Sequence, residues 1–470
     1  MAKPGKAQRP AEESGAIGRK ATSKKAAARR SPLSPPAGVS NANEGERQTV
    51  SGARQTHGPA QAIVTRRAAE RVRAGYLWVY ASDVVEIALP GGEDPPALLQ
   101  VADNRGLFLG TALYSPSSQI AMRLVSRQPV DHAGWLELLE LRLRAAIARR
   151  KLLLDAENDA CRLCFSEADE LPGIIADKYG ELVIVQLLTK GLLATGVRDA
   201  CVRVLREELE VAAILERPDP RIRELEGLPA PASDPLWLAD PARPVANTQF
   251  RLNGLAFHYD ANAGQKTGAF LDQRANYAAA RDWARRLALA QSESGGRALD
   301  VCCYQGGFAL HLAEVFRQVT GVDVSRAALE VAERNLEANR SRITADVDWV
   351  EADAFELLRD WSQAGEGFDA IVLDPPAFAK SKRAVEGALR GYKELNLRAL
   401  KMMRPGGLLV TCSCSHHVGW ADLEAAVAAA AADAQRRVRL LERRGAALDH
   451  PVVLNLPETE YLKCLVLEVE

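Results

Sequence analysis

The run Ile371-Val372-Leu373-Asp374-Pro375-Pro376-Ala377-Phe378 joins an apolar β-type stretch to a carboxylate, two prolines and an aromatic ring. Proline cannot donate to a sheet ladder, so the strand must stop at Asp374, and the stiff Pro375-Pro376 turn fixes where that carboxylate and Phe378 point. Ligands of open α/β sheets bind at the carboxyl ends of the strands, which makes this strand end a place for chemistry. Two further acids repeat the pattern. Asp323 ends the strand Val319-Thr320-Gly321-Val322, where a carboxylate can take both hydroxyls of a ribose. Asp353 follows the strand Val347-Asp348-Trp349-Val350, placed to accept from an adenine amino group. Upstream, Asp300-Val301-Cys302-Cys303-Tyr304-Gln305-Gly306-Gly307-Phe308 sets adjacent glycines between a strand and a helix, so that a ligand can approach the backbone. The G-x-G-x-x-G spacing of a dinucleotide site is absent. Acids and glycines together predict an adenosyl ligand.

The elements that must carry these residues alternate strand and helix after about Phe257, the sign of a doubly wound parallel sheet. Strands are predicted over 298–302, 319–323, 347–350, 370–374 and 407–411, with helices over 308–317 and 327–338. The chain is too long for one ordinary core, and its length predicts two or three domains in all. Short strands over 77–80, 97–102, 107–110 and 120–125 predict a small β-barrel, preceded by Arg66, Arg67, Arg71 and Arg73, which suit RNA contact or a solvated face equally. A helix over 135–154 ends in Arg149-Arg150-Lys151, as cations near a helix C-terminus should. A hairpin over 173–187, a helix over 192–209 and a strand near 212–215 follow, and a proline-rich connection over 228–244 leads to the last domain. The resulting division is a basic arm over 1–60, a barrel over 61–130, an α+β domain over 131–255 and the α/β domain over 256–470.

Composition narrows the classes. A formal net charge of -1 hides a basic arm, whose first sixty residues hold 11 Lys and Arg against 4 acids. That arm lacks the apolar content to offset the entropy of ordering and is predicted to be disordered, serving as a nucleic-acid-attracting tail or an organelle transit peptide. No run reaches the eighteen or so apolar residues of a membrane helix, which predicts a cytoplasmic protein with no membrane partner. The 8 cysteines are scattered rather than framed as in secreted disulfide scaffolds. Cys161-x-x-Cys164 has no second Cys/His pair nearby, so no metal is expected.

In order and spacing, the strings Asp300 to Phe308, Asp323, Asp353, Asp374-Pro375-Pro376 and Thr411-Cys412-Ser413-Cys414-Ser415 resemble the motifs of class I S-adenosylmethionine-dependent methyltransferases. From about Ala62 to Glu470 the chain is similar to the PUA-domain-bearing 23S ribosomal RNA cytosine-5 methyltransferase family. Supporting strings are Tyr114 to Ile120, Asp169-Glu170-Leu171-Pro172-Gly173, Gly264-Gln265-Lys266-Thr267-Gly268, Leu271-Asp272-Gln273-Arg274, Gly391-Tyr392-Lys393, Asp449-His450-Pro451 and Tyr461-Leu462-Lys463. The resemblance implies a PUA domain, a middle α+β domain and a Rossmann-like catalytic domain. S-adenosylmethionine is the implied cofactor, with S-adenosylhomocysteine as product, and large-subunit ribosomal RNA is the implied partner. A second copy of the chain is a further candidate partner. Lys266, Arg274, Tyr304, Gly306, Gly307, Asp323, Asp353 and Asp374 are the implied cofactor contacts. Pro375, Pro376, Phe378 and Tyr392 are the implied substrate contacts.

The resemblance also places the nucleophile at Cys414. C5 of cytosine is too weak a nucleophile to take a methyl group unless a thiolate first adds to C6. Asp374 is then expected to hydrogen-bond the cytosine edge and favour N3 protonation as the adduct forms. Cys412, which replaces the usual aromatic, is expected to pack. Cys302, Cys303 and Gln305 depart from the more polar residues usual in the glycine motif, and His417 is read as a surface residue, with assistance in proton removal as the other reading. Two other readings stay open: methylation of an exocyclic amine, which needs the acid and aromatic but no thiol, and a non-catalytic RNA-binding scaffold.

Overall fold

A computed structural model describes residues 53–56, 59–90, 96–229, 234–262, 268–289 and 295–470. Lys266 and most of the predicted basic arm lie outside the described residues. All described residues belong to one compact unit.

The first sheet has seven strands in the order Ala53–Thr56, Val84–Pro90, Gln61–Val64, Leu98–Ala102, Phe108–Tyr114, Met122–Ser126 and Trp78–Val79. Ala53–Thr56, assigned by composition to the arm, pairs in parallel with Ile87 to Pro90. A helix the sequence reading missed, Arg66–Arg73, starts at Thr65, whose hydroxyl accepts from the Ala68 N–H, and it buries Ala68, Ala69 and Val72. Its arginines are matched within the domain: Arg67 and Arg71 meet Asp83, Arg73 meets Asp103, and Arg66 meets Glu70. The guanidiniums of Arg66 and Arg67 nevertheless stay largely exposed.

The middle domain is built on the helix His132–Lys151, capped by Asp131, whose buried face of Trp135, Leu139, Leu143 and Ile147 packs on a five-stranded sheet. The predicted hairpin forms from Ile174–Tyr179 and Leu182–Leu187, closing at Tyr179 opposite Leu182. Gly180 makes that turn at φ +51°, a conformation that costs glycine little. Cys161 and Cys164 lie buried within the strand Ala160–Phe165. A second hairpin, Asn247–Leu252 with Leu255–Asp260, follows and carries Phe250 and Phe257 into the core of the last domain.

That last domain is a seven-stranded sheet. Its strands are β1 (Arg297–Val301), β2 (Gln318–Asp323), β3 (Asp346–Glu351), β4 (Phe368–Leu373), β5 (Met403–Ser413), β6 (Val438–Arg444) and β7 (Lys463–Val469), in the order β3-β2-β1-β4-β5-β7-β6. β1 to β5 are parallel, and β7 runs antiparallel to both its neighbours. The chain leaves β1 toward β2 on one side, while β4 lies on its other side. That reversal opens a crevice at the carboxyl ends of β1 and β4. The helix predicted over 308–317 is shorter, Gly307–Leu312, and the helix Arg326–Ala338 begins at Ser325, which caps it.

Candidate active site

A cavity of about 650 Å³ sits at this crevice, lined among others by Tyr304, Gly307, Asp323, Asp353, Asp374, Pro375, Pro376, Phe378 and Cys414. It lies within the size range of small-molecule and cofactor sites.

The turn after β1 builds one wall. Cys302 and Tyr304 take left-handed backbone angles, φ +65° and +51°, which cost a non-glycine residue roughly 1–3 kcal/mol each. Asp323 holds the turn in that shape. Its Oδ2 accepts from the Tyr304 N–H at 2.9 Å, and its Oδ1 accepts from the Ser325 N–H at 2.9 Å. A carboxylate has about four acceptor positions, so each oxygen can take one bond more. A side chain at Gly307 would run into the Tyr277 ring, with the Cβ 2.6 Å from its hydroxyl. Asp353 caps the helix Ala354–Ala364, its Oδ1 accepting from Phe355 and Glu356 N–H. Beneath them Asp300 is fully buried and accepts from the Ala309 N–H at 2.8 Å; burial, with Asp374 and Asp323 adding to it, pushes its carboxyl well above the usual range.

Asp374 ends β4 as the prolines require. Gln273 donates to its Oδ2 at 2.9 Å, and Gln273 is itself held, its Oε1 accepting from Asn276 at 2.6 Å while Arg444 donates to Asn276 Oδ1 at 2.9 Å. Phe378 packs between Phe355 and Tyr392, with ring centroids 5.9 and 4.9 Å away. Cys414 falls just past the end of β5, half-buried, its Sγ 3.9 Å from the Pro375 carbonyl oxygen. Cys412 lies inside β5 opposite Cys464 on β7 and is fully buried; burial raises its thiol well above the usual range.

Three expected contacts are not brought to the cavity wall. Arg274 turns instead toward the middle domain, donating to the Ala160 carbonyl at 2.8 Å and lying 3.7 Å from Asp449, because it starts a helix against that junction. Gly306 caps the helix Gly307–Leu312 at φ +83°, facing Trp349 rather than the cavity. Tyr392 is fully buried behind Phe378, its hydroxyl accepting from Ser413 Oγ at 2.9 Å and sharing a bond with Ser415 Oγ at 3.0 Å. His416 and His417 pack on each other outside the cavity lining. Phe250, Leu252, Phe257, Tyr277, Tyr461 and Leu462 line it without having been assigned there from sequence. Tyr461 and Leu462 carried a signal, in the string Tyr461-Leu462-Lys463, as did Asp272 and Gln273, which line the cavity from the string Leu271-Asp272-Gln273-Arg274. Among the described residues no group of three or more His, Cys, Asp or Glu could hold a metal, and no helix is long and apolar enough to cross a membrane.

Comparison with known proteins agrees with this geometry. A family model described as S-adenosylmethionine-dependent methyltransferase matches residues 169–454, and one described as a PUA-like domain matches 62–127. The chain is 36% identical over 396 residues to ribosomal RNA large subunit methyltransferase I of Photobacterium profundum, covering 83% of this chain and 95% of the relative. To the protein of the same name in Erwinia tasmaniensis it is 37% identical over 389 residues, covering 82% and 93%. Among solved structures, a candidate methyltransferase complexed with S-adenosylhomocysteine superposes with a TM-score of 0.69 at 19% identity, covering 87% of this chain and 99% of that one. A candidate S-adenosylmethionine-dependent methyltransferase from Streptococcus mutans gives the same values.

Proposed function

Because the chain belongs to the S-adenosylmethionine-dependent methyltransferases, among the PUA-bearing ribosomal RNA large subunit methyltransferase I proteins, we propose that it methylates C5 of a cytosine in large-subunit ribosomal RNA through a covalent adduct on Cys414. The observation that carries this reading is the position of Cys414 and Asp374 on the wall of the same cavity as Asp323 and Asp353.

The residues present fit the cofactor: two acids at neighbouring strand ends, a turn that brings backbone close, and an aromatic wall in one cavity. When bound, S-adenosylmethionine supplies an electrophilic methyl group. Asp323 would hold the ribose hydroxyls with the second acceptor position on each oxygen, and Asp353 and Phe355 would meet the adenine. The target base would enter along Pro375, Pro376 and Phe378. Cys414 adds as thiolate to C6, forming a C–S bond and raising electron density at C5, while Asp374 favours a proton at N3 of the adduct. C5 would then carry the methyl group, with S-adenosylhomocysteine as the leaving product, and would lose its proton to solvent as N3 gives up its own; the electrons of the broken C5–H bond expel the Cys414 sulfur as thiolate. Gln273 holds Asp374 in one orientation throughout, so its carboxylate need not reorganise as charge develops. We place this activity in the cytoplasm.

The test is the identity of the product. Incubation with undermethylated large-subunit RNA, followed by nucleoside mass spectrometry, should give 5-methylcytidine; methylation of an exocyclic amine, or no methylation with S-adenosylmethionine bound, would overturn the reading.

A further inference from the structure

Lys463 opens β7 directly opposite Ser413 of β5, beside the chain that carries Cys414, and it is only 2% exposed. A buried ammonium is costly, and simple packing against a strand end would be met by leucine or methionine. Its Nζ donates to the Ser415 carbonyl at 2.8 Å and to the Tyr461 carbonyl at 2.8 Å, which tie it to the residue after Cys414 and to the cavity lining. On the other side the same turn is already held by neutral groups. The Tyr392 hydroxyl meets Ser413 and Ser415, the Ser415 N–H donates to Ser413 Oγ, and the Ala379 N–H donates to Ser415 Oγ. A clamp alone therefore needs no charge, and the charge calls for a separate reason.

That reason is the electrostatics of the thiol. Asp374, one residue before the carbonyl that Cys414 touches, opposes a second negative charge in this corner. Tyr392 faces it from the helix Val385–Met402 and His416 follows it in the chain, while Glu460 and Asp422 bear on Lys463 from outside. We infer that Lys463 is a positioning residue acting through Cys414: its ammonium fixes the main chain at Ser415 and favours the thiolate of Cys414 over the thiol. The inference rests on Cys414 as the nucleophile. The thiol gives its proton to solvent, and Lys463 keeps its own. Burial pulls Lys463 below the ordinary lysine range, with Cys414, Glu460 and Asp422 pulling it back up, as expected where cation and thiol feel each other.

The test reads the thiol itself. The full-length protein is alkylated with iodoacetamide across a pH series, and modification of the Cys414 peptide is followed by mass spectrometry. Lys463→Met should move the midpoint for Cys414 upward by about one unit, an approximately tenfold loss of thiolate at neutral pH. Lys463→Arg should restore the wild-type profile. Lys463→Gln keeps a donor for the carbonyls without the charge, and so covers the case in which the methionine variant does not fold. It should shift as methionine does. With S-adenosylmethionine affinity unchanged, kcat should fall by a similar factor while KM for the cofactor stays put. An unmoved alkylation profile in a folded, cofactor-binding Gln or Met variant overturns the inference. The profile needs no RNA, so its outcome is separate from whether Cys414 adds to cytosine.

Discussion

The junction between the middle and last domains and the cavity a few residues away both gather carboxylates, buried at the junction and, apart from Asp300, half-buried or exposed at the cavity, and they satisfy them differently. At the junction the acids meet guanidiniums. Asp177 takes two bonds from Arg162 at 2.8 Å, Asp169 is gripped by Arg149 and Arg150, and Asp449 accepts from the Arg162 N–H beside His450 and Arg274. Burial alone would raise Asp449, yet His450, Arg274 and that N–H together hold it below the usual carboxylate range. At the cavity the donors named for Asp300, Asp323, Asp353 and Asp374 are backbone N–H groups and one amide, which carry no formal charge. The Asp169 and Asp177 pairs brace the middle domain at its edge, and Asp449 joins it to the last domain through the Arg162 N–H. Asp323, Asp353 and Asp374, held by dipoles at the cavity wall, keep a negative field suited to a cationic cofactor and its hydroxyl donors, whereas the buried Asp300 beneath them is pushed toward its neutral form.

If this contrast is right, removing a junction partner should cost stability most. Arg162→Met removes two charged bonds from the fully buried Asp177 and should lower unfolding free energy by about 3–5 kcal/mol, read from urea midpoints. Asp374→Asn, by contrast, should hardly move the midpoint while slowing methyl transfer. Equal midpoints for Arg162→Met and wild type would break the comparison.

A smaller effect is expected at His311, which stands between the two regions. Burial pulls it down to about 4 from 6.5, with Nδ1 2.7 Å from the Gly307 carbonyl and Nε2 3.0 Å from the Asn253 amide, an arrangement for the neutral ring. Below pH 6.5 the unfolded chain takes a proton that the folded chain refuses. Stability should therefore fall as pH drops toward 4, by about 3 kcal/mol in all, and level off below. Urea titrations near neutral pH and near pH 5 should show about 2 kcal/mol of this loss in wild type and not in His311→Gln; parallel losses would assign it to other groups.

The smallest expected effect belongs to the cavity acids. Asp323→Ala should weaken S-adenosylmethionine binding by about 1.5–3 kcal/mol by calorimetry, with a smaller loss in the urea midpoint than Arg162→Met because it frees two backbone N–H groups at the turn. Unchanged affinity would remove Asp323 from the cofactor site.

The strand-end acids were legible in the sequence because a strand, its stop and the next helix are local: Asp374 before two prolines and Asp323 after an apolar run declare their places within a few residues. What was not legible depends on distant chain. Phe250 and Phe257 reach the cavity from a hairpin before the sheet begins, and no spacing announces it. Arg274 stands one residue from Gln273, yet their side chains part, one toward Asp449 and the other to Asp374, a choice set by packing between domains. The two cysteines separated by a single serine were told apart in the sequence by resemblance alone; physically they differ because β5 ends at Ser413, which leaves Cys412 inside the strand and Cys414 beyond it.

Attack of Cys414 on the base is open to a direct test. RNA carrying 5-fluorocytosine at the target keeps no C5 proton to lose, so methyl transfer should leave the enzyme bonded to its RNA, visible as a slow band on a denaturing gel. Wild type and Cys412→Ala should give that band, and Cys414→Ala should give neither band nor turnover. A band that survives in Cys414→Ala but disappears in Cys412→Ala would name the other cysteine, and active methylation without any band would contradict the cytosine-5 mechanism.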